Sequence, residues 1–79
     1  MVTRKLLLEY GFDNIDEFFD DIIEKKASGD DVSSMRQFEM LSESQQQRFF
    51  NYLDTLYHYE QEDNMELINT LNFFGYDRL

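Results

Sequence analysis

Residues 13–24 read DNIDEFFDDIIE, from Asp13 to Glu24, with six carboxylates among five large apolar side chains. The strict alternation of a half-buried strand is missing. Ile15, Phe18, Phe19, Ile22 and Ile23 recur at steps of three and four, the period of a helix. At about 100° per residue, Asp13, Asp16, Glu17, Asp20, Asp21 and Glu24 fall within an arc of about 140°, with the five apolar residues on a similar arc opposite. The stretch therefore predicts one helix divided lengthwise into a core face and an anionic face. The apolar face needs other apolar helices to pack on. The acids span about 16 Å of helix, and those three or four residues apart stand roughly 5–6 Å from each other. Phosphates along one DNA strand are similarly spaced.

The rest of the chain supports a helical fold. It has no proline and three glycines, Gly11, Gly29 and Gly75, each directly after a helical pattern. Each can supply the left-handed residue that closes a helix, and Phe12 and Tyr76 can fold back on the turns before them. Thr3, Asp13 (with Asp16), Ser34 (with Gln37), Ser42 (with Gln45) and Asp63 or Asn64 are candidate caps. These signals predict helices near 4–10, 14–27, 34–41, 43–60 and 65–74. The expectation is an all-α fold, a compact small helical bundle of four to five short helices, as a single domain over residues 1–79. Phe49, Phe50, Leu53, Leu56 and Tyr57 form an apolar stripe that Tyr52 and Tyr59 widen. Leu67, Ile68, Leu71 and Phe74 are expected to pack against it.

Charge narrows the functions. The 79 residues carry a net charge of -10. Nucleic-acid binding depends on neutralising phosphates and needs the opposite sign, so neither direct nucleic-acid binding nor attachment to an anionic membrane is expected. A basic protein surface would attract the chain. Cysteine is absent, which excludes disulfides and thiolate metal sites. No apolar run approaches the roughly 18 residues of a membrane span, and MVTRKLLLEYGF is a poor signal peptide. A cytoplasmic location is expected.

The candidate partner-binding surface is the row Asp16, Glu17, Asp20, Asp21 and Glu24. Between Lys5 and Lys25 the chain has seven acids and no Lys or Arg. Like charges four residues apart cost a few tenths of a kcal/mol, a cost that an ordinary solvated face usually avoids by interleaving cations. From Arg48 to Arg78 the same gap recurs, with Glu60, Glu62, Asp63 and Glu66 clustered inside it. Tyr52 and Tyr59 are candidate contact aromatics, as are Tyr10 and Tyr76, because tyrosine is amphipathic and favoured in hot spots.

Catalytic chemistry is not specified. Asp16/Asp20, Glu17/Asp21 and Asp20/Glu24 are pairs that can hold a divalent ion only weakly. A calcium loop needs a glycine turn and alternating ligands, and here Phe stands where ligands belong. His58 has Asp54 and Glu62 four residues to either side, but no nucleophile or oxyanion site accompanies them. No enzyme activity, cofactor or metal is expected.

In size and charge the chain is similar to small acidic proteins of phages and other mobile elements. Some of these occupy the nucleic-acid site of a host protein, among them certain anti-CRISPR, anti-restriction and repair-inhibitor proteins. That likeness implies an inhibitor that binds a basic, nucleic-acid-binding protein by mimicry. It covers no motif and assigns no residue a role. The alternative is a non-catalytic homodimeric adaptor or regulatory subunit acting through aromatic contacts, with its charge serving solubility.

Overall fold

The computed structural model describes the backbone of residues 1–60 and 64–75, and the side chains of residues 1–56, 58 and 68–75. The fold is all-helical: α1 (Arg4–Glu9), α2 (Ile15–Ala27), α3 (Asp31–Glu39), α4 (Glu43–Glu60) and α5 (Asn64–Phe73). No strand occurs among the described residues. The residues group into two compact units, Met1–Gln46 and Gln47–Leu79, and the division falls inside α4.

In the first unit, α1 has only six residues, too few to persist alone. The Thr3 hydroxyl caps it by accepting from the Leu6 amide at 3.2 Å. Its end closes through Gly11 at φ 84°. The Phe12 amide donates to the Leu7 carbonyl at 2.8 Å, and the Gly11 amide donates to that of Leu8 at 3.1 Å. These two bonds are the Schellman pair. Phe12 then sets its ring edge-on against Phe18 of α2, 5.8 Å between centroids.

The end of α2 repeats this closure through Gly29 at φ 91°. Here the Asp30 amide donates to the Lys25 carbonyl at 2.9 Å. Asp30 at once caps α3, its carboxylate accepting from the Ser33 amide at 3.2 Å. So α3 begins at Asp31, three residues before the helix predicted from 34, and Ser34 is not its cap. A carboxylate suits the positive end of a helix dipole, and Asp30 is already placed there by the turn at Gly29. Ser34 is instead fully buried. Its hydroxyl donates to the Ile22 carbonyl of α2 at 2.8 Å. A small side chain lets the two backbones approach, and the bond satisfies its only polar group.

The core of this unit is Val2, Leu7, Phe18, Phe19, Ile22, Phe38 and Leu41. Thus the apolar face of α2 is buried as expected, with Ile15, the first residue of the helix, and Ile23, at the edge of the apolar arc, half-buried. Burying each large apolar side chain contributes about 1.5–3 kcal/mol.

The box predicted at the start of α4 is formed. The Ser42 hydroxyl accepts from the Gln45 amide at 3.2 Å, and Gln45 Oε1 accepts from the Ser42 amide at 2.9 Å. The same Oε1 accepts from the Val2 amide at 3.0 Å, while Gln45 Nε2 donates to the Val2 carbonyl at 2.6 Å. Gln45, expected from sequence only as the partner of Ser42 in that box, therefore also brackets the N-terminal backbone.

In the second unit, Phe49 and Leu53 are fully buried one turn apart on α4. Phe74, at the end of α5, meets Phe49 edge-on at 5.1 Å. Leu71 and Thr70 are buried beside it, but Ile68 is 46% exposed. This corrects the expected packing of Ile68. On a helical wheel Ile68 lies about 160° from Thr70 and about 60° beyond Leu71, so it falls off the covered face. Gly75, at φ 85°, closes α5 with its amide donating to the Asn72 carbonyl at 3.1 Å. Tyr76 and Leu67 lie outside the described residues or side chains.

Candidate functional site

The acidic face of α2 starts at its cap. Asn14, not Asp13, caps the helix, its side-chain carbonyl accepting from the Glu17 amide at 3.1 Å. Glu17 Oε2 reaches back to accept from the Asp13 amide at 2.6 Å. Asp13 lies one residue too early to cap, so it presents its backbone rather than its carboxylate. One oxygen of Glu17 is therefore engaged in holding the helix start.

Asp21 has a different role. It is half-buried, and its Oδ2 accepts from the Lys25 ammonium and, at 2.7 Å, from Gln37 Nε2 of α3. Burial alone would raise its pKa. The hydrogen bonds from Lys25 and Gln37, together with the Lys25 charge, outweigh that and hold it below the ordinary 3.8. On the wheel Asp21 is the outermost acid on the side of Lys25, about 40° from it, and α3 packs there. Gln37, read as half of a capping box with Ser34, instead joins α3 to this ion pair. Both residues expected at a helix start belong to the α2–α3 seam.

Asp16, Asp20 and Glu24 remain as an exposed row. Their two steps of four residues each advance about 6 Å, so the row is about 12 Å long and within about 80° of helix surface. Among the described residues, Asp16 and Glu24 make no side-chain hydrogen bond or ion pair. Asp16 and Glu17 lie in the first turn and Lys25 and Lys26 in the last, the arrangement the helix dipole favours. Lys26 pairs with Asp31 at 3.3 Å. Lys25 is thus turned to Asp21, outside the exposed row.

The second acidic cluster cannot be added to this geometry. The side chains of Tyr59, Glu60, Glu62, Asp63 and Glu66 lie outside the described residues, whereas Tyr52 is described and half-buried. His58 and Asp54 are exposed on α4, and their expected companion Glu62 lies outside the described residues. Among the described residues, no three His, Cys, Asp or Glu side chains come together as a metal site. Among them too, no helix is long and apolar enough to cross a membrane.

Compared with protein-family models, curated proteins and solved structures, the chain matches none.

Proposed function

We propose that this chain binds a basic protein surface through the exposed row Asp16, Asp20 and Glu24 and excludes nucleic acid from it. It would act as a small inhibitor of the kind some phages use against host nucleic-acid-binding proteins. The supporting observation is the division of labour on α2. Glu17 and Asp21 are used by the fold, while three further carboxylates stand outward at one-turn spacing. Like charges at one-turn spacing repel, and a cationic partner surface would relieve that repulsion. With a net charge of -10, steering speeds encounter with a basic groove, and contacts that lose their water hold the complex.

The test is charge reversal. Asp20→Lys with Glu24→Lys weakens binding to a basic partner, captured from host lysate at low salt, by tenfold or more, while Gln46→Ala and Gln47→Ala change it little. A complex that survives the reversal and is lost with Tyr10→Ala is the aromatic adaptor instead. Sedimentation equilibrium of the chain alone then tells whether that adaptor is a homodimer.

A further inference from the structure

The first unit holds a cleft of about 380 Å³ between the end of α1, α2 and α3. Its apolar wall comes from Tyr10 and Phe12, just beyond α1, and from Met40 at the end of α3. Tyr10 is 57% exposed, an open ring at the mouth. On the α3 side the lining residues are Ser33, Arg36, Gln37 and Met40. That spacing, i, i+3, i+4 and i+7, is one face of a helix.

The polar groups of the cleft are unequally occupied. Its one carboxylate, Asp21, already accepts from both Lys25 and Gln37 through the same oxygen. Among the described residues, the guanidinium of Arg36 and the hydroxyl of Ser33 have no partner. Two cations against one paired acid give the cleft a local charge opposite to that of the chain. A ligand entering it meets open donors, a cation able to grip a carboxylate with two parallel bonds, and a wall of ring and thioether. The volume is near the lower bound of the roughly 300–1,000 Å³ of small-molecule sites.

We propose that this cleft binds a small aromatic carboxylate. The carboxylate sits on Arg36, with Ser33 donating to it, and the ring lies against Tyr10, Phe12 and Met40. The negative charge of the whole chain opposes an anion at long range. At physiological salt that field decays within about 8 Å, so contact with Arg36 decides the outcome.

The experiment is an NMR titration of the full ¹⁵N-labelled chain with indole-3-acetate, and in parallel with its neutral amide, indole-3-acetamide. Saturable shifts are expected at Ser33, Arg36, Gln37 and Tyr10, with the amide at least about tenfold weaker. Arg36→Gln, an exposed position, should leave far-ultraviolet circular dichroism unchanged. It should remove at least about tenfold of affinity for the acid and little for the amide. The proposal is overturned by unsaturated shifts at millimolar ligand, by equal affinity for acid and amide, by shifts centred away from α3, or by Arg36→Gln binding the acid as well as the unaltered chain.

Discussion

Replacing Ser34 by glycine separates two accounts of how α3 is held. If Ser34 were a helix cap, glycine would cost only a few tenths of a kcal/mol and alanine about 1 kcal/mol. Ser34 is instead a fully buried residue inside Asp31–Glu39, bonded to the Ile22 carbonyl at 2.8 Å. Ser34→Gly then loses a buried hydrogen bond, about 1 kcal/mol, and roughly 0.5 kcal/mol of helix propensity, besides leaving a small void. The sum is about 1.5–2 kcal/mol. Ser34→Ala loses the same bond but gains propensity, for a cost of about 0.5–1 kcal/mol. The order of the two variants is thus inverted relative to a cap. Asp30→Ala, at the position that does cap α3, should cost about 1 kcal/mol. Urea unfolding followed by far-ultraviolet circular dichroism measures all three. With a slope of roughly 1 kcal/mol per molar urea for so small a chain, Ser34→Gly lowers the midpoint by about 1.5–2 M. If Ser34→Ala proves the more damaging and Asp30→Ala neutral, the seam as described is wrong. The seam matters for function because it covers the Asp21 side of α2 and leaves Asp16, Asp20 and Glu24 outward.

Three further outcomes are expected. The pKa of Asp21 is depressed below 3.8, so its ionised form stabilises the fold above that value and the contribution is lost as pH falls through the depressed value. Asp21→Asn should therefore cost stability at neutral pH and progressively less below about pH 4, as read from urea midpoints across an acid series; a cost independent of pH contradicts the pairing. Gln45→Ala removes the bracket on Val2 as well as half of the capping box, and should cost about 1–2 kcal/mol and speed hydrogen exchange at the Val2 and Ser42 amides. Gln46→Ala should cost less, and equal costs would count against the bracket. The double reversal Asp20→Lys, Glu24→Lys should keep full helicity and lie within about 0.5 kcal/mol of the parent chain, because both positions are exposed and face away from Phe18 and Ile22; unfolding by that variant would mean the row supports the fold.

The helices were legible where local chemistry settles them. Gly11, Gly29 and Gly75 stand at positive φ, which few other residues adopt cheaply, so each stop was visible in the sequence. Thr3 and Ser42 cap as their neighbours predict. The apolar face of α2 followed from periodicity alone. What failed was local pattern in competition with packing. Ser34 and Gln37 satisfy the spacing of a capping box, yet α2 lies against that side of α3 and takes both. Asp21 looked like one acid among six because a wheel shows angle and not neighbours; its angular closeness to Lys25 was the available signal. The Gln45–Val2 bracket joins residues 43 apart, and nothing in the first turn of α4 announces it. For the candidate site, the exposed row was readable, and its separation from Glu17 and Asp21 was not.

The most direct test of mimicry is a competition titration. A basic nucleic-acid-binding partner is loaded with labelled nucleic acid, and this chain is added at rising concentration, followed by anisotropy. Displacement should be complete at saturation, weaken as salt rises, and weaken by tenfold or more with Asp20→Lys, Glu24→Lys. If the partner, saturated with this chain, still binds its nucleic acid as tightly as before, the account is contradicted and Asp16, Asp20 and Glu24 are a solvated face.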